Sequence, residues 1–330
     1  MNTKIVYAFV SDASDTYLEQ LILSAYSARF YNCDASLIMV TDSITERAFK
    51  IGWRSSITQY FDDIIIVDTP VDYTKMQRSR YIKTNLRHYV KGDYVFLDCD
   101  TIVCHSLSEL DTINEDIALV ADLNGDLNLV DVHTIKRCEE AGFGGMEGFP
   151  YYNSGVMYVK DTPLAHRFYE EWYRQWRFAD HHGVSLDQPA LCKANEIQGF
   201  VLKELPGKWN CQVNFLGGKL ADIAIVLHYA GGSNKKALQE IFEHIRQCNG
   251  SIGEELKKLI NNPHKLFYTI MTITEEAYFC FAHSEMVYYY FHQPMTYRLA
   301  THLSRAISPL ILFIWNIKNY VCKHSILSRA

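Results

Sequence analysis

Tyr94-Val-Phe-Leu-Asp-Cys-Asp-Thr-Ile-Val103 sets two carboxylates, one residue apart, between one apolar run and the next. Read as extended chain, it sends Asp98 and Asp100 out on the same side, because side chains in a strand repeat every two residues. Hydrocarbon on both flanks disfavours two like charges unless a cation compensates them. A hard divalent ion takes carboxylate oxygens, so Mg²⁺ or Mn²⁺ is the simplest compensation. The competing reading is an ordinary strand-end turn, since an Asp-x-Asp also arises by chance.

Outward from this strand, the N-terminal half alternates strand-like and helix-like segments. Lys4–Val10, Ser36–Val40 and Asp63–Val67 are β-prone runs, while Tyr17–Tyr31, Thr45–Lys50 and Ser79–Tyr89 carry helical periodicity. Apolar strands separated by helices predict βαβ units and a largely parallel sheet covered on both faces. Ligands bind such sheets beyond the carboxyl ends of the strands, where Ser11-Asp12, Asp42 and Asp98-x-Asp100 fall. Further strands are expected at Ile117–Ala121, Tyr151–Val159 and Ala224–Gly232, and helices over His166–Phe178 and from Asp187. The glycine-rich stretch 124–150 reads as a flexible rim, and Ala237–Asn261 as one charged helix.

Composition narrows the function classes. With 330 residues, 48% of them hydrophobic, the chain can bury one large core. No apolar span reaches the roughly 20 residues of a transmembrane helix, and the start lacks the pattern of a secretory signal. Nine cysteines without a Cys-x-x-Cys pair suit a reduced cytoplasm better than a disulfide framework or zinc site. Beyond Glu285 there is no acid, and the last 45 residues carry a charge of +5, leaving −11 on residues 1–285. So acidic a body argues against nucleic acid as a partner.

Other residues invite two readings each. Arg80 and Lys83, about one helical turn apart, either point together at a ligand or make a solvated helix face. His228, at the end of an apolar run, is a structural hydrogen-bonding residue or a ligand. Gly231-Gly232, with Ser233, Lys235 and Lys236, either forms an amide-lined anion cradle or a simple turn. Asn153, Asp187 and Gln188 stand at element starts, where turn formation and helix capping are the ordinary explanations.

The order of these features is more telling than any one of them. With Phe96-Leu-Asp-Cys-Asp-Thr-Ile-Val103, Tyr152-Asn-Ser-Gly155 and Leu227-His-Tyr-x-Gly231, the chain resembles the family 8 glycosyltransferases over roughly residues 3–236. This is the glycogenin and galactosyltransferase-like group. The resemblance implies an α/β GT-A fold, a nucleotide-sugar-binding, Rossmann-like mixed sheet with helices on both faces. It implies a catalytic domain over 1–236, and the residues beyond it, 237–330, read as a helical C-terminal region. Asp98, Asp100 and His228 would hold Mn²⁺, or Mg²⁺, against the diphosphate of a UDP-sugar; a neutral histidine suits manganese better. Asp12 and Tyr17 match positions contacting the nucleotide, and Arg80 or Lys83 the one contacting diphosphate or sugar. Asp122, Asn153, Asp187 and Gln188 match positions around the donor sugar and reaction centre. The first loop, Ser11–Tyr17, is longer than the family's usual one, leaving Asp15 a candidate beside Asp12. The lysine expected after Gly231 comes one step late, at Lys235, with Lys236 next to it and no Pro-Trp following.

The implied activity is transfer of a hexose to a glycan acceptor with retention of configuration, Gln188 or Asp187 lying near the back face of the sugar. No well-placed general base is expected, because the departing phosphate oxygen can take the acceptor's proton. A nucleotide-sugar pyrophosphorylase would carry a glycine-rich phosphate loop after the first strand, and Ser11–Tyr17 has no glycine. A two-carboxylate hydrolase would need acids unburdened by metal. A non-catalytic carbohydrate- or nucleotide-binding protein would have no use for a metal-diphosphate site.

Past the charged helix, the chain is aromatic-dense through Tyr288-Tyr-Tyr-Phe291. Pro309-Leu-Ile-Leu-Phe-Ile-Trp315 then lies among Arg298, Arg305, Lys318 and Lys323. That pattern suits a helix lying in the plane of an anionic membrane surface. The expected location is cytoplasmic, peripheral on the inner face of a membrane, with a glycan or lipid-linked glycan as acceptor.

Overall fold

In the computed structural model, which describes residues 1–128, 130, 132–213, 217, 220, 223–229 and 236–263, the sheet is built around β1 (Lys4–Phe9). Its side chains alternate between two hydrophobic clusters, Ile5, Tyr7 and Phe9 joining one and Val6 the other. The same alternation recurs in β4 (Tyr94–Leu97), where Val95 and Leu97 face one cluster and Tyr94 and Phe96 the other. Strands apolar on both faces belong in the middle of a doubly covered sheet.

β1 pairs in parallel with β4 and with β2 (Leu37–Asp42), which pairs in parallel with β3 (Asp63–Val67). Two more strands follow in chain order, β5 (Thr101–Val103) and β6 (Ile117–Ala121). β7 (Tyr152–Val159) then runs antiparallel between β4 and β6, and β8 (Lys203–Glu204) closes the edge parallel to β6. The seven-stranded order is β3-β2-β1-β4-β7-β6-β8. A second sheet of three strands sets β10 (Val226–His228) between β5, to which it is antiparallel, and β9 (Cys211–Gln212), to which it is parallel.

Helices cover both faces. α1 (Tyr17–Tyr31) buries Leu18, Leu21, Ile22, Ala25 and Ala28 in the cluster of Ile5, Tyr7 and Phe9. The opposite face takes α3 (Lys75–Thr84), α4 (Leu86–Tyr89), α6 (Pro163–His181) and α7 (Asp187–Ile197), with Trp172 and Trp176 fully buried. A short α2 (Ser43–Phe49) follows β2, capped by the Asp42 carboxylate, which accepts the Thr45 amide at 2.7 Å. No helix among the described residues is long and apolar enough to cross a membrane.

The mixed α/β sheet agrees with the sequence reading, and several segments differ in detail. The run Tyr94–Val103 is not one strand: it leaves the main sheet after Leu97, turns at Cys99-Asp100, and resumes as β5 in the small sheet. Ser79–Tyr89 is not a single helix either, because α3 begins earlier, at a Thr74–Gln77 capping box, and ends at Asn85 before α4. Stretch 124–150, read as a flexible rim, contains α5 (Val132–Glu140). The expected helix Ala237–Asn261 is two, α8 (Lys236–Gln247) and α9 (Glu254–Ile260). Asn249 and Gly250, both at positive φ, end the first of them. α8 and α9 bury Leu238, Phe242, Ile245, Leu256 and Ile260 in the cluster that holds α1. The basic, aromatic tail expected to meet a membrane lies outside the described residues.

Candidate active site

Asp98 follows β4 directly, its backbone N–H bonded to the Gly155 carbonyl of β7 at 2.8 Å. Two residues later the chain enters the small sheet, where His228 pairs with Thr101 and the Tyr229 amide bonds the Asp100 carbonyl at 3.1 Å. The two sheets thus meet at the Asp-x-Asp turn. One ligand atom from each of Asp98, Asp100 and His228 lies within 4.8 Å of the others. His228 Nε2 is 3.2 Å from Asp100 Oδ1. Period-two geometry does not bring the carboxylates together, as the sequence reading supposed; the turn and the neighbouring strand do.

The electrostatics suit a cation here. Burial, reinforced by the neighbouring Asp100, pushes the Asp98 carboxyl above its ordinary range against the pull of Lys83. Burial acts on Asp100 in the same sense, but His228 outweighs it and holds Asp100 low. Two oxygens and one imidazole nitrogen form a donor set that fits Mn²⁺ and also Mg²⁺.

A buried ion-pair cluster adjoins this set. Arg80 and Lys83, three residues apart on α3, both turn toward Asp187 at the start of α7. Lys83 Nζ is 3.1 Å from Asp187 Oδ2, donates to both Asp98 oxygens at 3.2 and 3.3 Å and to Ser154 Oγ at 3.1 Å. The Ser154 hydroxyl donates in turn to Asp187 at 2.7 Å, and Arg80 Nε stands 2.9 Å from the other Asp187 oxygen. The side chains of Lys83 and Asp187 are only 3% and 6% exposed. Burial alone would raise the Asp187 carboxyl, but Lys83 and Arg80 hold it well below the usual carboxylate range. Asp187 is therefore not a helix cap: Leu186 occupies that position, and the carboxylate is committed to the two cations.

Two clefts meet at the metal-ligand set. One, of about 300 Å³, is lined by Ala8, Val10, Tyr17, Lys75, Arg80, Asp98, Cys99 and Asp100, among others. Asp12 stands beside it with a carboxylate 44% exposed, paired to Lys75 at 2.9 Å. Asp15, the rival candidate, is spent on its own loop. Its oxygens accept from Ser11 Oγ, the Asp12 and Tyr17 amides, and Lys75.

The other cleft, about 340 Å³, brings Arg80, Lys83, Asp98, Asp100 and His228 together with Asp122, Asn153, Asp187 and Gln188. β7 supplies its floor through an irregularity: pairing jumps from Leu119–Met157 to Val120–Asn153, so Ser154–Val156 fall out of register with β6. Gly155 is needed there, since a Cβ would come within 2.3 Å of His228 Cε1. Asn153 donates to Asp122 at 3.0 Å and accepts from Asn210 at 2.9 Å, and Asn210 Oδ1 lies 3.0 Å from His228 Nδ1.

Of the expected site residues that are described, Tyr17, Arg80, Lys83, Asp98, Asp100, Asp122, Asn153, Asp187, Gln188 and His228 line these two clefts, and Asp12 stands beside the first. Gly231, Lys235 and their neighbours Gly232 and Ser233 lie outside the described residues; Lys236 is the first residue of α8. Sequence reading missed Lys75, Ser154 and Asn210. Ser154 sat inside a motif already quoted, and the capping box around Lys75 was readable, but no local pattern marked Asn210.

A family model described as glycosyl transferase family 8 matches residues 11–237. Among solved structures, the galactosyltransferase LgtC in complex with donor and acceptor sugar analogues is similar over 78% of this chain and 99% of its own, at 16% identity and a TM-score of 0.50. An active-site mutant of LgtC is similar over 77% and 99%, at 16% identity and a TM-score of 0.52. Mouse xyloside xylosyltransferase 1 in its apo form is 14% identical over 69% of this chain and 97% of its own, with a TM-score of 0.46. At such identities the likeness is one of fold. No curated protein sequence matches the chain.

Proposed function

As this chain belongs to glycosyl transferase family 8 and is a glycosyltransferase of the GT-A fold, we propose that it moves a hexose from a UDP-sugar to a glycan acceptor with retention of configuration. The observation that carries this reading is the convergence of Asp98, Asp100 and His228 where the two clefts join. Those three residues would hold Mn²⁺, or Mg²⁺. Bound there, the ion would neutralise the charge that develops on the departing diphosphate.

The remaining roles fall to the chain itself. Tyr17 and Asp12 would hold the nucleotide beside the smaller cleft, with Lys75 anchoring the loop that carries Asp12. Arg80 would face the diphosphate, and Gly231 and Lys235 would contact the same group. Asp122, Asn153, Asp187 and Gln188 would orient the sugar, Gln188 or Asp187 toward its back face. Asp187, kept ionised by two cations, is a weak base, and the departing phosphate oxygen would take the acceptor's proton. Arg137 lines the larger cleft and has no ion-pair partner among the described residues, which supports an acceptor bearing negative charge, such as a lipid-linked glycan. The basic tail beyond Glu285 supports peripheral attachment to the cytoplasmic face of an anionic membrane, at about 1 kcal/mol per cation.

A thermal-shift screen of nucleotide sugars with and without Mn²⁺ tests the donor and the metal together. Expected is stabilisation by a uridine diphosphate hexose that chelator abolishes, and loss of transfer in folded Asp98→Ala and Asp100→Ala. Stabilisation only by guanosine or cytidine donors would overturn the donor. Transfer undiminished in either variant, or in chelator, would overturn the metal.

A further inference from the structure

The imidazole of His228 is buried, and its two nitrogens face different chemistry. Nε2 looks toward Asp100, at 3.2 Å from Oδ1, and Nδ1 toward Asn210 Oδ1 at 3.0 Å. On the reading that Asp98, Asp100 and His228 hold a divalent cation, we propose that Asn210 is a positioning residue. It keeps the His228 proton on Nδ1, so that Nε2 offers its lone pair to the metal.

The polarity of the chain Asp122–Asn153–Asn210–His228 supports this, and it is set at Asn153 from both sides. The Gly155 backbone amide, which can only donate, points at one end of the Asn153 amide from 3.0 Å, so that end is oxygen. The Asp122 carboxylate, which when ionised can only accept, lies 3.0 Å from the other end, so that end is nitrogen. The Asn153 oxygen also faces Asn210 at 2.9 Å, which must therefore present its NH₂. Asn210 then has only its oxygen left for His228, and an oxygen opposite Nδ1 requires the proton there. The opposite tautomer would set two lone pairs against each other in a site where Asn210 is fully buried.

Asn210 is itself held firmly. Its amide donates to the Gly207 carbonyl at 3.1 Å, and its own carbonyl accepts from Asn124 Nδ2 at 3.0 Å. Against Cε1 and Nδ1 of the ring, Gly155 leaves no Cβ to obstruct it. Orienting partners of this kind fix the tautomer and the ring plane of metal-bound histidines. Here the partner has a further connection, because Asn153 and Asp122 line the cleft assigned to the donor sugar. The ligand set and the sugar pocket thus share one hydrogen-bonded chain.

Mn²⁺ affinity, read from the electron paramagnetic resonance signal of free Mn²⁺, separates this role from a merely structural one. Asn210→Leu, which offers Nδ1–H no acceptor, is expected to weaken Mn²⁺ binding about 10- to 100-fold. Asn210→Asp gives up the NH₂ bond to Asn153 but keeps an acceptor opposite Nδ1, and is expected to retain most of the Mn²⁺ affinity that Asn210→Leu loses. Equal affinity in Asn210→Leu, or an equal loss in both variants, would overturn the proposal. Should the leucine variant not fold, nitrogen-15 NMR of the unmodified protein with diamagnetic Mg²⁺ bound decides, because without a metal the Asp100 oxygen 3.2 Å from Nε2 competes for the proton. With the signal assigned by comparison with His228→Gln, the neutral His228 ring is expected as the Nδ1–H tautomer, and the Nε2–H tautomer would refute the role. Failure of the unmodified protein to bind Mn²⁺ at all would instead remove the metal reading on which the proposal rests.

Discussion

Asp187 shows how far a single side chain can depart from the explanation its position invites. A carboxylate at the start of a helix ordinarily caps it or offsets its dipole. This one is 6% exposed and sits between Lys83 and Arg80. Asp187→Asn leaves both cations with one partner fewer and is expected to destabilise the fold by about 3 kcal/mol at neutral pH. The cations depress the folded pKa of Asp187. Its contribution is therefore present above the unfolded aspartate value of about 3.9 and is lost as pH falls through the lower folded value. Urea unfolding of the two proteins should accordingly show a constant difference from pH 7 to 5 and a shrinking one below about pH 4. A difference unchanged down to pH 2 would mean that the ion pairs contribute nothing. At this scale the sequence revealed the acids and cations by type and order. It did not reveal their pairing, because Lys83 and Asp187 are 104 residues apart along the chain.

At the scale of elements, the loop before α7 places Asp187 by means of α6. The Trp176 indole donates to the Ser185 carbonyl at 3.0 Å, and the Trp172 indole to the Asp187 carbonyl at 2.9 Å. Both tryptophans are fully buried, so Trp176→Phe leaves the Ser185 carbonyl without its donor, at a cost of about 1–3 kcal/mol. It should also raise the KM for donor, because the loop carrying Asp187 and Gln188 loses its tether. Denaturant melts and donor titration check this, and unaltered values for both would show the indole contact to be idle. Helical periodicity predicted α6 and the opening of α7, since both bury a continuous apolar stripe. The irregular register in β7 was not predicted: Tyr152 packs in the same cluster as Met157 and Val159, out of step with strict alternation, and a strand buried along almost its whole length hides that break.

At the scale of the whole molecule, the described residues form two hydrophobic clusters on either side of one mixed sheet, with the candidate site where the small sheet meets it. The proposed membrane contact belongs to the chain beyond them. Truncation after Gln293 is expected to leave donor hydrolysis intact while abolishing sedimentation with anionic liposomes at low salt. Full-length protein that stays in the supernatant would overturn the membrane reading.

The sequence by itself determined the family, the fold class and the identity of the Asp-x-Asp and His-Tyr-x-Gly segments. Those follow from the order of apolar runs and from residue chemistry, which are local or one-dimensional properties. Only the tertiary structure decided that Asp98 and Asp100 converge through a turn, that Lys83 links Asp98 to Asp187, and that Asn210 stands behind His228. Each of these depends on which strands become neighbours and in what register. Periodicity within a segment carries no record of that choice, because it is made by burying both faces of the sheet at once.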